Sequence, residues 1–237
     1  MRNLIIASTS TLHGGAYLDY LLPELELLFK NCDTILFIPY ARPSGISHND
    51  YTKKVSDAFK KTNKKVIGLH EFNDPIEALT NAKGIFTGGG NTFLLVSQLY
   101  NKNIISTLKE VINLGTPYLG TSAGSNITGL SMHTTNDMPI VYPPSFKTLG
   151  ILPFNLNPHY LDAELQSKHM GETRETRIKE FHAFNTTAVL GLREGSWLNV
   201  KGENTILKGN LTARLFLQNE VPVEVKPETN LNYLGKL

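Results

Sequence analysis

At 237 residues, with 41% apolar and 19% charged residues and a formal net charge of +2, the chain can bury a sizeable core. It lacks both the low hydrophobicity of a disordered segment and the charge excess of a polyanion binder. Its single cysteine, Cys32, excludes an internal disulfide and a Cys-based metal site, and fits a reducing compartment.

The first apolar run, residues 4–8, follows one basic residue and is far too short for a signal peptide or a membrane span. The expectation is a buried strand in a cytoplasmic protein with no membrane partner. Further short β-branched runs are expected as strands at 34–39, 65–69, 84–87 and 117–120. Amphipathic stretches between them predict helices over 17–29, 49–60, 75–81, 92–100, 104–113 and from 123 onward. This alternation is the signature of parallel strands joined by crossover helices. Lys53, Lys54, Lys60, Lys61, Lys64 and Lys65 form the densest basic stretch; interleaved with polar residues, they read as the solvated face and end of a helix, not a nucleic-acid surface.

Beyond residue 135, Asp137-Met138-Pro139 and Tyr142-Pro143-Pro144 predict loops, since the proline pair excludes a regular helix. A helix around 172–184 follows. The short runs 188–192, 196–200, 205–207 and 213–217 are then expected to extend the sheet antiparallel through hairpins, with Gly202 and Gly209 in turns. With no repeat, low-complexity segment or long linker, a single domain over 1–237 is expected.

Two glycine-rich stretches sit where strands should end. Gly120-Thr121-Ser122-Ala123-Gly124 matches the G-x-S-x-G elbow, in which a serine occupies a tight strand-to-helix turn. Ser122 is either a nucleophile or only the turn residue that any such junction would select. Thr87-Gly88-Gly89-Gly90-Asn91-Thr92 could cradle a phosphate or supply an oxyanion donor, but lacks G-x-G-x-x-G spacing and a P-loop lysine.

A nucleophilic serine needs a base, most often histidine. His13, His48, His70 and His182 have no distinguishing neighbours, and His133 and His169 lie in polar surroundings. His159, in Leu156-Asn157-Pro158-His159-Tyr160, has its approach stiffened by proline and is one candidate among these. Asp137 and Glu194, in Arg193-Glu194-Gly195, are candidate orienting acids, or plain turn caps.

Taken together and in order, these stretches resemble the serine-peptidase family that holds peptidase E, an aspartyl dipeptidase, and cyanophycinase. The resemblance also rests on Asn157-Pro158-His159 and Gly171-Glu172-Thr173-Arg174-Glu175, and covers most of the chain. It implies an α/β three-layer sandwich with a mostly parallel sheet, like class I glutamine amidotransferases, with antiparallel C-terminal strands. It implies hydrolysis of dipeptides with N-terminal aspartate, without metal or other cofactor. Ser122 would be the nucleophile, His159 the base and Glu194 the acid orienting it. Backbone N–H groups of Gly89 and Ala123 would form the oxyanion hole. Asp137 would meet the substrate's α-amino group and Arg174 its aspartyl carboxylate, which a planar guanidinium can grip through two parallel bonds. The partner implied is a small peptide; a homodimer is compatible with the sequence. Rival readings are a cyanophycinase-like hydrolase of β-aspartyl-arginine bonds and a non-catalytic module that binds acidic peptides.

Overall fold

The computed structural model describes residues 1–164 and 171–236, so His169 lies outside the described residues. Five strands, β1 (Asn3–Ala7), β2 (Thr34–Ile38), β3 (Lys65–Gly68), β4 (Ile85–Thr87) and β5 (Tyr118–Thr121), lie parallel in the order β3-β2-β4-β5-β1. The next two, β6 (Asn155–Pro158) and β7 (Val189–Leu192), pair parallel with each other in a second sheet. The chain then returns to the first sheet, where β8 (Trp197–Lys201) runs antiparallel to β1 and β9 (Asn204–Lys208) antiparallel to β8. Finally β10 (Ala213–Phe216) and β11 (Val223–Val225) complete the second sheet in the order β11-β10-β7-β6.

Strand alternation divides the interior into layers. Leu4, Ile6, Leu36 and Ile38 point into one core. There they meet α3 (Pro75–Thr80), α4 (Thr92–Asn101), α5 (Ile105–Leu114) and the inner face of the second sheet through Leu79, Leu95, Leu108, Leu156 and Leu190. Ile5, Ala7, Ile35 and Phe37 point the other way, onto Leu25 of α1 (Leu22–Leu28) and Val55 of α2 (His48–Phe59). Each fully buried leucine or phenylalanine contributes about 1.5–3 kcal/mol, so both faces of the sheet are strongly specified. The three-layer α/β sandwich with a mostly parallel sheet and antiparallel C-terminal strands is thus present.

Two expectations need correction. The helix expected over 17–29 begins late: Leu18, fully buried, takes a left-handed φ of 61° while its N–H bonds the Ser10 carbonyl. A 3-10 turn, Asp19–Leu21, precedes α1, whose start tolerates Pro23 because the first-turn N–H groups have no helical acceptor. The C-terminal runs also do not simply extend one sheet. Only 197–201 and 204–208 join it, whereas 189–192 and 213–216 build the separate sheet around β6. That strand gives no β-branched signal; it is held by buried polar bonds, with Asn155 Nδ2 donating to Ser131 Oγ and Asn157 Nδ2 to the Thr134 carbonyl.

Candidate active site

In the first sheet β4, β5 and β1 are neighbours, so the segments leaving their C-terminal ends emerge side by side, where open parallel sheets place their ligands. Ser122 follows β5 directly and opens the one-turn helix α6 (Ala123–Asn126) with φ 54° and ψ −112°, a strained conformation of the kind tight functional turns store. Its packing explains the small neighbours. A Cβ on Gly124 would lie 2.1 Å from the Thr87 carbonyl oxygen, and one on Gly89 would lie 2.9 Å from Ser122 Cβ. The two glycine-rich turns are therefore pressed against each other.

Their N–H groups divide into two sets. Gly88 and Ser122 donate to the Ile38 and Ala7 carbonyls. Gly89, Gly90 and Ala123 donate to no acceptor among the described residues. Tyr51, buried, donates its hydroxyl to the Gly89 carbonyl at 3.1 Å and so fixes the plane of the Gly89–Gly90 peptide.

His159 and Glu194 are brought together by strand register. Pro158 pairs with Leu192 across the parallel β6–β7 ladder, and His159 and Glu194 lie one and two residues beyond that pair. The imidazole makes two contacts: Nε2 lies 2.9 Å from Ser122 Oγ, and Nδ1 lies 2.6 Å from Glu194 Oε1. This answers which acid meets the histidine. Asp137 does not; its Oδ2 accepts from the Thr92 N–H at the start of α4 (2.7 Å) and from Thr135 Oγ1 (2.9 Å). Among the remaining described histidines, His48 and His70 pack edge to face on each other, His133 bonds Ser131, His182 bonds the Thr187 carbonyl, and His13 is exposed.

Beside the serine opens a cavity of about 250 Å³, lined by Ser122, Ala123 and His159 together with Asp137 and Arg174. Arg174 is the first residue of α7 (Arg174–His182), whose start is capped by Thr173 Oγ1 accepting from the Thr176 N–H. Among the described residues it forms no ion pair. Burial, and then Arg177, push its guanidinium below the ordinary value, against the pull of Asp137 and Glu194. The cavity thus presents an acid together with a cation that forms no ion pair among the described residues. Among the described residues no three His, Cys, Asp or Glu side chains are gathered as a metal would require, and no described helix is long and apolar enough to cross a membrane.

The comparisons with known proteins bear on this arrangement. The model of peptidase family S51 matches residues 4–208. The chain belongs to peptidase family S51. Among its S51 relatives, a Drosophila melanogaster protein named "Probable alpha-aspartyl dipeptidase" is 47% identical over 98% of this chain and 97% of its own length. A Streptomyces coelicolor protein named peptidase E is 44% identical over 98% and 94%. Two solved structures share the fold. One, a peptidase from an acI-B1 Actinobacterium, has a TM-score of 0.71 at 16% identity and covers 98% of this chain and 96% of its own. The other, from Listeria monocytogenes EGD-e, has a TM-score of 0.66 at 21% identity over 88% and 98%.

One residue that supports this site was not singled out from the sequence. Ser8, fully buried at the end of β1, donates its hydroxyl to the Leu192 carbonyl (2.7 Å) and accepts from the His159 N–H (2.9 Å). It ties the first sheet to both strands that carry His159 and Glu194, and it holds His159 at a left-handed φ of 55°. In the sequence it is one of four hydroxyl residues in a row, Ser8-Thr9-Ser10-Thr11, with nothing to separate it from its neighbours.

Proposed function

We propose that this chain is a serine dipeptidase that hydrolyses Asp-Xaa through an acyl-enzyme on Ser122. The observation that carries the reading is the His159 ring, in reach of Ser122 Oγ through one nitrogen and of Glu194 through the other. In acylation, Ser122 Oγ attacks the scissile carbonyl carbon while Nε2 takes the hydroxyl proton. The tetrahedral intermediate collapses with cleavage of the C–N bond, and Nε2 gives the proton to the leaving amine. Water, deprotonated by the same nitrogen, then attacks the ester carbonyl; the acyl C–O bond to Ser122 breaks, Nε2 returns the proton to Oγ, and aspartate is freed. Glu194 accepts from the Nδ1–H, fixes the tautomer and stabilises the imidazolium. The unengaged N–H groups of Gly89 and Ala123 would bind the oxyanion, a role in which one donor is worth about 10²–10³ in rate.

Asp137 would take the substrate's α-ammonium and Arg174 its β-carboxylate. Both charges then find partners inside the cavity, and a substrate lacking either leaves a protein charge unpaired. The chain is taken as one catalytic domain acting on small peptides in the cytoplasm; the support for one domain is that β8, from the C-terminal half, pairs with β1. A cyanophycinase-like preference for an arginyl side chain is not favoured. Asp162 and Glu224, acids near the site, are already paired with Arg193.

The test is release of free leucine, the product common to all three, from Asp-Leu, Asn-Leu and Leu-Leu. Asp-Leu is expected to be cleaved with a kcat/KM at least about 10²-fold above that for Asn-Leu, and Leu-Leu not at all. Comparable rates on all three would leave serine chemistry without aspartyl selectivity and end the proposal.

Ser8 enters as a positioning residue. Ser8→Ala leaves the His159 N–H and a Leu192 lone pair unpaired and loosens the imidazole. The expected result is a fall in kcat of about 10-fold with KM within about 2-fold. If stability drops while kcat stays put, Ser8 is merely structural.

A further inference from the structure

A second cavity, of about 540 Å³, borders His159 and Arg174 from the side of Tyr160 and Glu194. We infer that it is the leaving-group subsite, and that it selects dipeptides whose second residue carries an apolar side chain. The inference rests on the proposed Asp-Xaa chemistry and extends it to the residue after the scissile bond.

Position comes first. A substrate that starts with aspartate has nothing on the amino side of it, and the first cavity, with Asp137 and Arg174, accommodates that aspartate. The leaving amine must lie where Nε2 of His159 can protonate it, so the residue it belongs to lies along the imidazole. Both cavities border this ring; with the first taken by the aspartyl residue, the second is the space left beside it for the leaving residue.

Its chemistry comes next. Arg193 looks like a ready partner for the terminal carboxylate but is fully engaged. Nε and Nη2 donate to the two Asp162 oxygens, both at 2.8 Å. Nη1 and Nη2 reach Glu224 at 2.8 and 3.0 Å, and Nη1 also reaches the Thr212 carbonyl. Its guanidinium carbon sits 5.5 Å from the Tyr160 ring centroid, so the cavity meets a neutralised, stacked floor. What remains for contact is Leu161 and Leu211, which line the same cavity at 69% and 45% exposure. Exposed leucines scattered singly need no explanation, but two on the wall of a cavity beside a candidate catalytic histidine form an apolar contact surface. Glu194, on the same wall, disfavours an acidic second residue.

The experiment compares kcat/KM for Asp-Leu and Asp-Gly in the parent and in the double variant Leu161→Ser/Leu211→Ser, with urea unfolding confirming that the variant folds as the parent does. The parent is expected to prefer Asp-Leu by about 10-fold or more, and the variant to lose most of that ratio, with the change in KM. Cleavage of both dipeptides with the same ratio in parent and variant overturns the subsite alone. Failure of the parent to cleave either overturns the aspartyl dipeptidase reading, and the subsite with it. If the double variant unfolds, the single variant Leu161→Ser, at the more exposed position, decides by the same ratio.

Discussion

Replacing Ser122 with alanine is expected to lower kcat for Asp-Leu by about 10⁴-fold or more, to the level that binding and the oxyanion donors alone sustain. The nucleophile is the only group in the first cavity whose loss removes a bond-forming atom; Glu194 and Ser8 act through His159. The change is also clean structurally. Alanine carries the same Cβ as serine, so the strained φ of 54° and the contact with Gly89 persist, and unfolding free energy should stay within about 0.5 kcal/mol of the parent. Asp-Leu should still bind, because Asp137 and Arg174 are untouched, and calorimetry on the variant reads that binding without turnover. The residues act as a unit, so adding His159→Ala to Ser122→Ala should cost little more. A Ser122→Ala variant that releases aspartate at more than about a hundredth of the parent rate would remove the acyl-enzyme from the mechanism.

How much of this was legible in the sequence depends on whether a feature is local. The elbow was legible, because a serine at a strained turn needs glycines near it in the chain. The parallel strands were legible from their own apolar runs. The His159–Glu194 contact, across 35 residues of chain, was not: it depends on the pairing of β6 with β7, and β6, Asn-Leu-Asn-Pro, lacks the composition of a strand. Resemblance to a family supplied that pairing of roles where periodicity could not. Residue types alone also left Asp137 and Glu194 equivalent. Only the geometry separates them, by giving Asp137 the N-terminus of α4 and Glu194 the imidazole. Ser8 stayed hidden because its two partners, 151 and 184 residues away, are backbone groups that no side-chain pattern marks.

Arg174→Met should cost selectivity more than chemistry. A carboxylate entering the first cavity loses its hydration, and the guanidinium, itself partly desolvated and without an ion pair among the described residues, is what compensates it. Truncating one partner of such a pair typically costs about 2–5 kcal/mol, so kcat/KM for Asp-Leu is expected to fall by about 10³-fold. Asn-Leu carries no charge to compensate, and its already low kcat/KM should change by less than about 3-fold; the preference for aspartate collapses. Arg174→Lys should recover only part of the loss, since a point charge on a flexible stem cannot hold both carboxylate oxygens at once. The nucleophile is unaffected by either change. Labelling of Ser122 by a small neutral fluorophosphonate should therefore proceed at the parent rate in both variants, which separates loss of the anion site from damage to the catalytic centre. If Asp-Leu and Asn-Leu fall equally, or labelling slows in parallel with turnover, Arg174 supports the fold around Ser122 and does not read the substrate. The aspartyl carboxylate would then have to be held by something other than the one unpaired cation on this cavity's described walls.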